Sequence, residues 1–141
     1  MIYFREVDLR CAVRGKKAVS SWLKRIVESH EKSLGEVCVV ACSDKHLLGV
    51  NKERLNHDYY TDIITFDYTS GNEVSGDLMI SFERVKENAI DCGVDFQDEL
   101  KRVMVHGCLH LCGFSDKTPK DKQIMRQEEN KALKLFHVEQ E

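Results

Sequence analysis

The sequence is short of the residues that mark extended, disordered or membrane-bound chains. It has one proline and eight glycines in 141 residues, with 42% hydrophobic and 32% charged residues, so it has the composition of an ordinary globular protein and not of a disordered one. Nowhere do 18 apolar residues stand together, which excludes a membrane-spanning helix read from hydropathy. The opening MIYFREVDLR lacks the basic and apolar regions of a signal peptide, and we expect a cytoplasmic location with no membrane partner. Positive charge is not in excess. The net charge of -3 gives no global attraction to phosphate polymers, so any nucleic-acid contact must come from a local basic patch. No CxxC pair occurs among the six cysteines; in a reducing compartment, Cys38, Cys42, Cys92, Cys108 and Cys112 read as buried free thiols.

A chain of this length is expected to form one domain, residues 1–141, able to bury a core without disulfides or a structural metal. A metal, if bound, is then free to serve function. Ile2 to Arg5 reads as a short strand. From Gly15 to Glu31, Val19, Trp22, Leu23, Ile26 and Val27 fall at spacings of three and four and predict an amphipathic helix. GEVCVVA, Gly35 to Ala41, is a buried strand, and Ser43 or Asp44 is placed to cap a helix running to about Leu55. NHDYYTD is turn-like, IITFDY is a strand, TSGN is a turn, and GDLMISF is a further strand. A short helix from Ser81 to Ala89 is expected to stop near Cys92-Gly93. Asp95 then caps a helix with Leu100, Val103, Met104, Gly107 and Leu111 on its core stripe. After Pro119 a last helix carries Ile124, Met125, Leu133, Leu135 and Phe136. The fold class is α/β (α+β): a single domain with a mixed sheet of about four strands covered by about five helices, and a site at the end of a core helix.

The site is HGCLHLCGFSD, His106 to Asp116. Residues four apart on a helix are about 40° from each other around its axis, so His106 and His110 project from one face. Cys108 and Cys112 point elsewhere on the wheel, about 200° and 120° away, and belong to the core. Gly113 lets the chain reverse and bring Asp116 back beneath the histidines. Two histidines and one aspartate leave a coordination position open, which is the arrangement of a catalytic metal site. Gly107 stands where the HExxH metalloproteases carry their glutamate base, so a peptidase of that type lacks its proton acceptor. Glycine also costs about 1 kcal/mol against alanine in a helix, and we expect it to permit a close approach.

HGCLHLCGFSD resembles the HGxLHLxGxDH signature of the YbeY-type rRNA maturation endoribonucleases, and NHDYYTDIITF and SGDLMIS resemble two further stretches of that family. The likeness is close from about Leu47 to Asp116. It implies a site for one divalent metal ion, zinc, built from three histidines, of which His106 and His110 hold the first two places and Asp116 the third. A carboxylate in place of an imidazole lowers the formal charge of the site from about +2 to +1 and weakens its power to acidify water. It also makes iron, manganese or nickel more suitable than before. An arginine of the family falls in register on Leu55, with Arg54 one place earlier. Its role, phosphate contact, is carried to Arg54.

The resemblance implies hydrolysis of single-stranded RNA in maturing the small-subunit rRNA 3′ end and in ribosome quality control. The partners it implies are rRNA, the small ribosomal subunit and assembly factors. The general base stays open between Asp77, Asp62 and a substrate phosphate, as does the nucleophile, water or a ribose 2′-hydroxyl. Asp77 serves either to orient a histidine N–H or as a solvated strand-end residue. Thr61 and Asp62 match a family turn, a setting in which such residues also satisfy loop backbone. Phe66 and Tyr68 read as core before they read as base-stacking rings. Arg14, Lys16, Lys17, Lys24 and Arg25 form the expected phosphate patch around the first helix, a pattern that a solvated face explains equally. His30, His46, His57 and His137 have no partner at ligand spacing. The competing function is a ribosome-assembly factor whose metal site is structural or vestigial.

Overall fold

Alternating β-branched and aromatic residues build four strands: β1 (Ile2–Glu6), β2 (Ser33–Cys42), β3 (Ile63–Asp67) and β4 (Glu73–Ser81). Between and after them lie α1 (Lys16–Ser29), α2 (Asp44–Leu55), α3 (Phe82–Cys92), α4 (Phe96–Leu111) and α5 (Pro119–Gln140). The computed structural model describes residues 1–140, with side chains as far as His137; Glu141 lies outside the described residues. The strands form one mixed sheet in the order β1-β2-β4-β3, parallel except for β3, which runs antiparallel to β4 at an edge. β2 and β4 start earlier than their apolar runs suggest, because Ser33 and Glu73 already pair in the ladder.

Helix ends follow the side chains available to cap them. Ser43 accepts from the His46 N–H at 3.1 Å and Asp95 from the Gln97 N–H at 3.0 Å, satisfying donors that have no carbonyl partner within the helix. Gly93, with φ of 66°, ends α3 in the left-handed region.

One face of the sheet carries the main core. Val37, Val39, Leu78 and Ile80 pack there against Trp22 and Leu23 of α1, Val85 of α3 and Leu100, Met104 and Leu109 of α4. The Trp22 indole donates to the Ala132 carbonyl at 2.7 Å, tying α1 to α5. The other face is covered over part of its area by α2, whose Leu47 clusters with Cys42 of β2 and Ile64 of β3.

Two glycines bring α4 down onto the β3–β4 end of the sheet. A Cβ at Gly107 would lie 2.7 Å from Leu78 Cδ2 and 2.9 Å from Ile63 Cδ1. One at Gly76 would lie 2.4 Å from the Phe66 carbonyl and 2.8 Å from Leu111 Cδ2. The close approach expected of Gly107 is therefore to strand side chains, and it sets the histidine face of α4 beside the edge strand.

Three sequence expectations change. Cys92 is exposed and not buried, because it ends α3 on the solvent side. On α5 Met125, Leu133 and Phe136 meet the core as expected, but Ile124 and Leu135 are exposed and Glu129 and Ala132 are buried, so a charged residue lies inside. Tyr68, placed with the core in the sequence reading, is 62% exposed one residue beyond β3.

Candidate metal centre

His106 and His110 lie one turn apart near the end of α4, and the chain reverses at Gly113, φ 104°, to return Asp116 to them. The His106 and His110 Nε2 atoms are 3.0 Å apart, and Asp116 Oδ2 is 3.4 Å from each. These three atoms form a compact triangle. Ligands arranged tetrahedrally at bonds of about 2.0–2.2 Å stand roughly 3.3–3.6 Å from each other, so the spacing suits one small cation.

The hydrogen bonds behind the rings decide which nitrogens face the triangle. His106 Nδ1 lies 2.7 Å from Glu129 Oε2, and His110 Nδ1 lies 2.9 Å from the Phe114 carbonyl. A carboxylate and a carbonyl only accept, so the proton of each neutral ring belongs on Nδ1. Two Nε2 lone pairs and a carboxylate oxygen then converge on one point, an arrangement that repels itself until a cation joins it. The donor set fits a divalent metal.

Behind His106 the charges continue inward. Glu129 and Glu99 are buried; Arg102 bridges them, through Nη1 to Glu129 at 3.3 Å and through Nε to Glu99 at 3.1 Å, with a second bond from Nη2 to Glu99. Burial opposes the charge on Glu129, yet the His106 hydrogen bond and the neighbouring cations hold its carboxyl below the usual range. For His106 burial likewise opposes protonation, but Glu129, Asp116 and Asp62 outweigh it and raise the pKa. Asp62 shows the opposite balance: burial raises its carboxyl more than His106 lowers it.

The triad lies where two clefts meet. A cleft of about 490 Å³ runs between α4, the edge strand and the loop after α2, and includes Leu55, His57, Tyr59, Thr61 and Asp62. A second, of about 300 Å³, opens toward α5 and includes Arg102, Lys122, Arg126 and Glu129. Both share Asp62, Ile63, His106 and Asp116.

The predicted site residues therefore separate. His106, His110, Asp116, Asp62 and Thr61 come together. Asp77 does not: strand alternation turns Leu78 to the α4 side and Asp77 to the opposite face, where it receives a hydrogen bond from the Tyr68 hydroxyl at 3.4 Å. It is not within reach of the triad as a base. Leu55 lines the first cleft and Arg54 lines neither. Lys16 and Lys17 open α1 and line neither cleft; the Lys16 ammonium stands 6.0 Å above the Phe4 ring. His57 joins no ligand group among the described residues; it stacks on Tyr59 at 5.2 Å with 19° between planes. Glu129 and the α5 cleft were not found from the sequence. The signal that could have found Glu129 is a glutamate at the register of Met125 and Ala132.

With this geometry in view, the comparisons with known proteins gain a structural meaning. The model of the Endoribonuclease YbeY family matches residues 6–137. The chain belongs to the YbeY endoribonuclease family. The Endoribonuclease YbeY of Parabacteroides distasonis is 47% identical over 137 residues, covering 97% of this chain and 96% of that protein. That of Flavobacterium psychrophilum is 48% identical over 141 residues, covering 99% of each. A Thermotoga maritima protein with a solution structure superposes with a TM-score of 0.70 at 25% identity, over 99% of this chain and 91% of that one. The α/β fold is thus that of a YbeY family member, and its His106-His110-Asp116 group could hold a metal ion. No helix among the described residues is long and apolar enough to cross a membrane.

Proposed function

We propose that the chain is a metal-dependent endoribonuclease that cleaves single-stranded RNA in rRNA maturation, in the cytoplasm, with one zinc ion held by His106, His110 and Asp116. The observation that carries the reading is the pair of acceptors behind the two imidazoles. Both Nδ1 protons are held by acceptors, so both Nε2 lone pairs and Asp116 face a common point at the floor of a cleft. The side chains of the triad remain 23%, 27% and 42% exposed, so the site is open to a substrate. A closed structural site would bury four ligands.

When bound, the ion supplies Lewis acidity toward a phosphoryl oxygen and a lowered pKa for water. The chain supplies the rest. Glu129 and the Phe114 carbonyl hold the two imidazoles in one tautomer and orientation. Asp62, on the wall shared by both clefts, is the candidate to take the proton of the attacking hydroxyl. Burial raises its pKa and makes it a better proton acceptor than a surface aspartate. Thr61 donates to the Ile63 carbonyl at 3.4 Å and serves to hold the loop that carries Asp62. Ribosomal RNA, the small subunit and its assembly factors are the proposed partners.

The reading is tested by measuring metal content, thermal stability and cleavage of an unstructured RNA for the purified chain and for His110→Ala. Loss of cleavage and metal with the fold retained supports the enzyme. Cleavage that persists both in chelator and in His110→Ala would refute it. Unfolding on metal removal would instead favour the assembly factor with a structural ion.

A further inference from the structure

The two clefts flanking the triad differ in charge in a way that orients a nucleic acid strand, given the ribonuclease reading on which this inference rests. Around the triad the carboxylates of Asp62, Asp116 and Glu129 carry more negative charge than one divalent ion offsets, so a bound strand needs fixed cations close by. The first cleft has no lysine or arginine in its lining. Leu55, 43% exposed, lines it where the resemblance places an arginine. Among the described residues, every lysine and arginine lining the site belongs to the second cleft: Arg102, Lys122 and Arg126. Arg102 is committed to Glu99 and Glu129. Lys122 and Arg126 remain, both exposed and four residues apart on α5, and so on one face of it. Arg126 approaches Glu129 only at 3.7 Å and is 59% exposed, while Glu129 already has His106 and Arg102. Its guanidinium is free to turn to another anion. The first cleft has instead the exposed Tyr59 ring stacked on His57, a surface suited to a base and not to a phosphate.

We infer that the α5 cleft is the phosphate side of the site, and that Lys122 and Arg126 contact the backbone of single-stranded RNA next to the triad. The positive charge that the sequence distributes around α1 does not line either cleft, and α5 takes its place.

The test measures the affinity of the full chain for an unstructured RNA oligonucleotide across a salt series, with metal content determined for each protein. Lys122→Ala/Arg126→Ala lowers affinity on the order of tenfold at low salt and reduces the slope of log K against log salt by about 0.7 per residue. Lys122→Arg retains both. Lys16→Ala/Lys17→Ala, on α1, leaves both unchanged. Lys122→Ala alone, which removes no contact to Glu129, gives half the change in slope and keeps the metal. An unchanged slope in the α5 variants, or a slope lowered by the α1 pair instead, overturns the inference while leaving the ribonuclease standing. Failure of the wild-type chain to bind or cleave RNA overturns both.

Discussion

Glu129 Oε2 lies 2.7 Å from His106 Nδ1, joining α5 to an imidazole of the triad across 23 residues of chain. The carboxylate fixes the ring's tautomer, and Arg102 fixes the carboxylate. Charge on Glu129 thereby reaches the triad without Glu129 entering it.

Glu129→Gln removes that charge while the amide oxygen still accepts from Nδ1; the amide NH2 then faces Arg102, whose bond to Oε1 is lost. The fold is retained and the affinity for zinc falls about 10–100-fold, measured by competition with a chromophoric chelator. Wild-type affinity in Glu129→Gln would show that the carboxylate acts on packing alone.

Asp62 gives a pH dependence of definite sign. Its folded pKa is raised above the ordinary carboxylate value of 3.8, with burial the largest cause. For an acid this is a destabilisation: present above the folded pKa, where the fold holds a desolvated carboxylate, and absent below 3.8, where both states are protonated. Asp62→Asn in the metal-free chain therefore unfolds at a higher temperature than wild type at neutral pH, and the gain disappears toward about pH 4. The same variant loses cleavage. Equal melting temperatures across the pH range would mean that the carboxylate is not held against its ionisation.

The contrast between Glu129 and Asp77 shows which parts of the site a sequence carries. The α4 stripe, the histidine pair and the glycine reversal are local, and helical spacing places them without knowledge of neighbours. Asp77 illustrates the limit of a motif: it stands beside Leu78, and only the pairing of β4 with the rest of the sheet decides which of the two meets α4. Alternation required one of them to face away, so a core role for Leu78 already argued against Asp77. Glu129 is hidden for a different reason. A glutamate on a charged helix reads as solvated, and although Met125, Leu133 and Phe136 do face the core, the exposed Ile124 and Leu135 blurred the stripe on which Glu129 lies. Basic residues on α1 and α5 look alike in sequence; distance to the triad separates them, and that is a tertiary property.

Gly76 predicts a stability effect that propagates to the site. In Gly76→Ala the new methyl meets a backbone carbonyl, Phe66 O, at 2.4 Å, which cannot turn aside as a side chain would. The edge strand must move, at a cost of about 1–3 kcal/mol, seen as a melting temperature lower by roughly 4–10 °C. Because β3 follows directly from Asp62, RNA cleavage falls beyond what partial unfolding explains. A variant with unaltered melting temperature would show that β3 and β4 are not as closely apposed as 2.4 Å requires.

Thiol chemistry reads the same packing from outside. Burial pushes Cys42 and Cys108 up to about 12 and Cys112 up to about 11, and it raises Cys11 and Cys38 as well. Cys92 alone among the six is exposed, at the end of α3. Since the thiolate is the reactive form, iodoacetamide at about pH 8 modifies the native chain once, at Cys92, and reaches the other five only on unfolding. Peptide mapping after a short exposure locates the label. Labelling of Cys108 at a comparable rate would place it at the surface of α4 and not against the sheet, and with it the helix orientation that aims His106 and His110 at Asp116 would be lost.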